Sequence, residues 1–213
     1  MFLARTEIEK LGKDLIGERY EKDYVRQASY DLRLGSEVYV VGQDAPIRLS
    51  AHSPYISLAP GQFAILTCYE EINIPRTYLA LIALRSSFKF QGLVNISGFH
   101  VDPTHKGTLL FAVQNVGPSD IRLKYKEPTF TIFFAELKGD IEKSRDEEPQ
   151  TQFKPTLRGI RLQDVQLLGG SSITISKLQK EIEQLRTIVL IYGPFVVAAA
   201  VALTVAILKY SSK

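Results

Sequence analysis

Apolar and polar positions along the chain follow three successive patterns. Between Met1 and Lys22, Ile8, Leu11 and Leu15 fall on one helical face, which predicts an N-terminal helix. Short β-rich runs come next: Ser36 to Val41, Gln62 to Thr67, Leu79 to Leu84, Leu93 to Ile96, Thr108 to Gln114, Asp120 to Leu123 and Thr129 to Leu137. Turn signals separate them at Pro60-Gly61, Asn73 with Pro75, Asp102-Pro103, Lys106-Gly107 and Gly117-Pro118. Short strands at roughly regular spacing with such punctuation predict a mainly β fold, either a barrel or a jelly-roll-like sandwich.

The third pattern begins after residue 138. Residues 138–172 read as a lid or linker: a polar, charged stretch around Glu142 to Gln150, short elements after Phe153, and a flexible Gly169-Gly170-Ser171-Ser172 joint. Over residues 173–186, Ile175, Leu178, Ile182 and Leu185, continued by Val189, form a seam spaced three and four residues apart. This predicts a short coiled-coil stalk, or else a solvated amphipathic helix. Residues 187–208 are an uncharged apolar run from Thr187 to Leu208. As a helix of about 1.5 Å rise per residue it extends roughly 33 Å, enough for the hydrocarbon core of a bilayer. Tyr192 and Tyr210 lie near its ends and Lys209 and Lys213 follow, as interfacial anchors do. The competing reading is a hydrophobic helix packed inside an oligomer. With 209–213 as a short tail, the expectation is a single-pass C-terminal membrane anchor whose N-terminal body stays in the cytoplasm.

Composition sharpens this division. A mean hydropathy of −0.01 averages a balanced body with an apolar tail. The whole net charge of +3 falls after residue 170, where five Lys and Arg face two Glu; before it the signs balance at 21 each. A neutral body gives no argument for nucleic-acid binding. One cysteine, Cys68, excludes an intrachain disulfide framework and suits a reducing compartment.

Three local features carry candidate chemistry. Cys68 lies in an apolar run, where packing is a better reading than nucleophilic attack. His100, Asp102 and His105 have spacings that could seat a metal, but no further strong ligand accompanies them. Arg85-Ser86-Ser87 places a planar cation and two hydroxyls at a strand end, a set suited to phosphate oxygens.

The motifs become specific in combination. Ala28-Ser29-Tyr30-Asp31-Leu32-Arg33-Leu34-Gly35 comes first, then Leu58-Ala59-Pro60-Gly61-Gln62 with Thr67, then Glu71-Ile72-Asn73-Ile74-Pro75. Arg85-Ser86-Ser87 precedes Gly92-Leu93, and Val101-Asp102-Pro103 precedes Gly107 and Asn115. In this order residues 1–137 resemble the dCTP deaminase and dUTPase superfamily, on its dCTP deaminase side. The resemblance implies a distorted β-barrel of the dUTPase-like β-clip type that assembles as a trimer. Its sites would lie between subunits and bind a deoxynucleoside triphosphate, with Mg2+ carried on the phosphates and no protein-bound metal. Carried over residue by residue, Arg85, Ser86 and Ser87 fall on the phosphate motif. Asp102 falls on the acid that faces the sugar, the catalytic position if diphosphatase chemistry survives. Gly98 falls on the small residue beside the base.

Two departures bear on activity. The deaminase glutamate that shuttles protons falls, without gaps from Asp102, on Ala112. Loss of a general acid/base costs about 10²–10⁴-fold or more. The arginine expected five residues after Arg85 is Phe90, with Lys89 adjacent; Lys124-Tyr125-Lys126 also replaces an expected glycine. The favoured expectation is therefore a membrane-anchored, trimeric nucleotide-binding module that has lost deaminase activity and serves as sensor, regulator or effector scaffold. The alternative is an active, membrane-tethered dCTP deaminase or dUTP diphosphatase with Lys154 or Arg158 on its lid. A third reading is a structural membrane protein that reuses the barrel for trimerisation. Ile at a and Leu at d in the stalk favour two strands over three, but a barrel interface outweighs so short a seam.

Overall fold

The computed structural model describes residues 1–139, 156–157, 160 and 175–211. The chain divides into two compact units, Met1–Ser172 and Ile173–Lys213.

The first unit opens with α1 (Arg5–Ile16), which buries Ile8, Leu15 and Ile16, with Leu11 packed at the edge. Eleven strands then follow within the first 139 residues before the last strand of the body: β1 (Tyr30–Val40), β2 (Ile47–Arg48), β3 (Tyr55–Leu58), β4 (Phe63–Cys68), β5 (Ile72–Asn73), β6 (Tyr78–Leu84), β7 (Leu93–Asn95), β8 (His100–Val101), β9 (Lys106–Gly107), β10 (Leu110–Asn115) and β11 (Ile121–Lys124). That last strand is β12 (Pro128–Glu136), and β13 (Thr156–Leu157) comes later in the chain. A four-residue helix, α2 (Ser86–Lys89), interrupts the series after β6.

The main sheet runs β7-β10-β4-β1-β12-β6-β8, with β2 added on β1. Two small sheets, β11-β3 and β13-β9-β5, complete the mainly β, barrel-like body. Its core collects Tyr30, Leu32, Leu34, Leu66, Phe111, Phe130, Ile132 and Phe134. Full burial of each large apolar side chain contributes about 1.5–3 kcal/mol.

β1 explains both the curl and a difference from the sequence reading. Its first residues pair with β12 (Tyr30↔Ile132) and its last with β4 (Val38↔Leu66), with register irregularities between. Gly35 sits at this changeover, where an added Cβ would lie 2.4 Å from Thr67 Oγ1 and 2.6 Å from the Cys68 carbonyl oxygen. Only glycine allows that approach. The alternation rule starts this strand at Ser36, yet it starts at Tyr30. Tyr30 to Gly35 are buried on both faces, so no alternation marks them. Strands β2, β3, β5, β8 and β9 also escape the pattern, and Asn73 and Lys106-Gly107, which read as turn signals, are part of β5 and β9, held there by mutual pairing.

The second unit is one helix, α3 (Ile175–Ser211), of 37 residues. It is continuous through the proposed stalk and apolar run, with Pro194 inside it. Within it, Glu181–Val205 has a mean hydropathy of 2.4 and none of it is buried. By length and composition this helix could cross a membrane. Thr187 and Thr204 each donate their hydroxyl to the carbonyl one turn back, at 2.9 and 2.7 Å, so neither leaves a polar group open on the apolar surface.

Candidate functional site

Three neighbouring strands bring the Arg85-Ser86-Ser87 triplet to a buried carboxylate. Asp31 on β1 stands opposite Thr131 on β12, and Thr131 stands opposite Ala83 on β6. Arg85 lies two residues beyond Ala83, on the same face of that strand. Its backbone N–H donates to the Thr129 carbonyl at 3.0 Å, which fixes the strand end on β12. From there Arg85 Nη1 donates to Asp31 Oδ2. Arg26 Nε donates to the same oxygen at 2.7 Å, and Thr131 Oγ1 donates to Oδ1 at 3.1 Å.

Asp31 is 4% exposed, against 34% for Arg85 and 49% for Arg26, so the guanidiniums reach outward from a buried anchor. They open onto a cleft of about 320 Å³ lined also by Ser29, Ser86 and Lys89. Ser87 is exposed beside it on α2, and Phe88 plugs the helix into the core.

Gly98 and Asp102 lie elsewhere. Gly98 occupies the loop between β7 and β8 with φ of 84°, and its carbonyl accepts from Asn95 Nδ2 at 2.7 Å. A side chain there would be strained by the backbone even though the surrounding space is open. Asp102 follows β8 and is 79% exposed, with one carboxylate oxygen 3.7 Å from His100 Nε2. The register of β6 with β8 (Ala80↔Val101) puts Asp102 level with Leu79. Arg85 is at the other end of β6, six residues away, or roughly 20 Å along the strand. One chain therefore brings Arg85 and Ser86 together but holds Asp102 at the far end of β6, while the same register puts Gly98 level with Ala83.

His100, Asp102 and His105 do not converge, and among the described residues no group of three His, Cys, Asp or Glu side chains is arranged to hold a metal. His105 is half-buried, and burial lowers its pKa below the ordinary imidazole value. Cys68 is buried; it donates Sγ–H to the Glu70 carbonyl at 3.0 Å and accepts from Leu109 N–H at 3.2 Å. Burial pushes its thiol well above the ordinary value, as a packing residue would be.

Ala112 lies on β10 opposite Ile65 of β4, on the strand face shared with Leu110. Ile65 and Leu110 belong to a second apolar cluster with Tyr39, Val41, Phe63 and Ile160. Position 112 thus has hydrocarbon for neighbours. Phe90, at the end of α2, is 91% exposed and does not line the cleft. Of the proposed lid, Lys154 and Arg158 lie outside the described residues. Thr156 and Leu157 pair in parallel with Lys106 and Gly107 of β9, and Ile160 N–H donates to Glu37 Oε2 at 3.0 Å.

Arg26, Asp31 and Thr131 were not singled out from the sequence as site residues. Asp31 offered one signal, a lone carboxylate between Tyr30 and Leu32 in a segment too apolar to solvate it.

Comparison with known proteins agrees with this architecture. The family model described as dCTP deaminase-like matches residues 2–137. A dCTP deaminase of Thermococcus kodakarensis is 31% identical over 130 residues, covering 61% of this chain and 81% of that protein. A protein of Aquifex aeolicus named "dCTP deaminase, dUMP-forming" is 28% identical over 129 residues, covering 56% of this chain and 72% of its own length. The crystal structure of 2'-deoxycytidine 5'-triphosphate deaminase from Agrobacterium tumefaciens superposes with a TM-score of 0.53 at 20% identity, over 71% of this chain. The chain spans about half (52%) of that solved chain, and the likeness concerns the fold. This chain carries a long apolar helix after the matched residues, and with the motif order, the curled sheet and the matched model in agreement, it belongs to the dCTP deaminase-like family.

Proposed function

We propose that the protein is a membrane-anchored, trimeric dCTP deaminase-like module that binds a deoxynucleoside triphosphate without deaminating it, as a sensor, regulator or effector scaffold. The observation that carries this reading is Ala112, a methyl group at the proton-shuttle position, set beside Ile65 and Leu110. No side chain there can move a proton, and Phe90 supplies no cation at the second expected position.

Binding is supported by the Arg85–Ser86 cleft. Separation of Arg85 from Asp102 along β6 favours sites shared between subunits, with the phosphates on one chain and Asp102 contributed by another. Mg2+ would ride on the phosphates. Asp31, the one carboxylate lining the cleft among the described residues, already accepts from Arg26, Arg85 and Thr131, so it fits a positioning role better than metal ligation. The helix containing Thr187 to Leu208 would hold the barrel at the cytoplasmic face of a membrane, where the reduced state of Cys68 is maintained.

Asp102 favours a second reading, residual dUTP diphosphatase activity, because its exposed carboxylate could orient an attacking water. One experiment separates the two. Detergent-purified protein is incubated with dCTP or dUTP and Mg2+, with uracil formation and diphosphate release followed and binding read by calorimetry. Binding without turnover is expected. Uracil formation from dCTP refutes the proposal, and diphosphate release abolished by Asp102→Ala establishes the second reading.

A further inference from the structure

The cleft at Asp31 holds more positive charge than its carboxylate requires. Arg26, Arg85 and Lys89 line it, and among the described lining residues Asp31 is the one acid. Arg85 and Thr131 already satisfy Asp31 from one side; Arg26 arrives from the other, out of the turn before β1. That turn is built to present it. Val25 bridges Tyr30, and Arg26 N–H donates to the Ser29 carbonyl at 2.7 Å. A guanidinium has five N–H donors, and the bond to Asp31 takes one from each arginine. The two planar cations are thereby fixed by a common buried oxygen while half of Arg26 remains in solvent.

We propose that Arg26 is a direct phosphate contact, forming with Arg85 and Lys89 a three-cation cradle for a polyphosphate tail. Arg26 lies outside the phosphate motif, and the assignment rests on the nucleotide-binding reading above. Ser29 and Ser86 flank the cradle and supply hydroxyl donors. Lys89 contributes a cation one residue before Phe90, on the cleft side that Phe90 does not line. Three cations against one buried carboxylate favour an extended, multiply charged chain over a single phosphate group. The cleft volume of about 320 Å³ is at the small end of ligand sites, which suits a phosphate chain better than a whole nucleotide.

The test is calorimetric titration of the full-length protein in detergent micelles with inorganic tripolyphosphate, with dCTP and Mg2+, and with deoxycytidine. Arg26→Ala is expected to weaken tripolyphosphate and dCTP binding about ten-fold or more, the loss of a charge-assisted hydrogen bond. Arg26→Lys is expected to fall between Ala and wild type. Arg122→Ala, which removes a cation stacked on Tyr55 far along the chain, is expected to change neither. Arg85 and Thr131 still hold Asp31 in Arg26→Ala, so it should melt with the wild type. If it does not, Arg26→Gln replaces it in the same titrations. Wild-type affinity in a folded Arg26 variant overturns this assignment and leaves the nucleotide-binding reading intact. A wild-type protein that binds neither tripolyphosphate nor dCTP overturns both.

Discussion

Arg33 and Glu70 form an ion pair inside the barrel, with Nε 2.6 Å from Oε1 and both side chains almost wholly buried. Glu70 Oε2 also accepts from the Arg33 backbone N–H at 3.0 Å. The rest of the guanidinium is equally committed, to Glu21 and to the Arg19 carbonyl, with the rings of Tyr24 and Tyr69 at 4.4 and 4.8 Å. Burial pushes the Glu70 carboxyl up, against the pull of Arg33. The pair bolts the start of β1 to the segment after β4.

Removing Glu70 leaves Arg33 Nε and the Arg33 backbone N–H buried without their acceptors, while Glu21 still holds Nη1. Glu70→Ala is expected to destabilise the body by about 3–5 kcal/mol, the usual cost of removing one partner of a buried pair. The joint replacement Arg33→Met with Glu70→Leu is expected to cost less, because it leaves no orphaned charge. Urea unfolding in micelles, followed by tyrosine fluorescence, measures both. A single variant as stable as wild type would contradict the burial.

His105 links stability to pH. Burial lowers its folded pKa below the ordinary 6.5, so the unfolded chain takes up the proton first as the pH falls. Its contribution is complete above that value and is lost as the pH drops from there toward the folded pKa. Thermal melts between about pH 7.5 and about pH 5.5 should therefore show a decline that His105→Gln flattens. An identical slope in the variant would place the dependence on other groups.

These sites differ in how far the sequence exposes them. The Pro60-Gly61 turn, the Arg85-Ser86-Ser87 triplet and the N-terminal helix are local signals, and local signals survive reading one residue at a time; Lys106-Gly107, which reads as a turn, is instead drawn into β9 by its pairing with β5. Glu70 and Arg33 are 37 positions apart and meet only through strand pairing. The same is true of Asp31 with Thr131, separated by 100 positions. Tyr30 to Gly35 lack alternation because both faces are covered, so a rule built on one wet face starts β1 too late. The apolar helix was legible in full, since 22 consecutive uncharged positions need no partner to be recognised.

That helix gives a membrane prediction. Carrying Glu181–Val205 at a mean hydropathy of 2.4, the protein should remain with membranes through alkaline carbonate washing. Val197→Arg, near the middle of the apolar run, adds about 2.5–3.5 kcal/mol to insertion and should shift a large fraction to the soluble or aggregated pool. An unaltered distribution of that variant would indicate that the helix is retained by protein contacts instead.

Restoring chemistry is the most demanding prediction. Ala112→Glu places a carboxylate at the position proposed above for proton shuttling, yet its neighbours Ile65 and Leu110 are hydrocarbon. Desolvation there raises the new group's pKa and favours its neutral form. It also meets no cation at Phe90, which stands in solvent at the end of α2. Ala112→Glu alone is therefore expected to bind dCTP about as wild type does and to form no dUTP above the mock preparation. The double variant with Phe90→Arg is the fairer trial, because it restores the charge together with the base. Uracil formation by the single variant would mean that the protein already holds every other group the reaction needs, and that the proposed absence of turnover rests on position 112 alone.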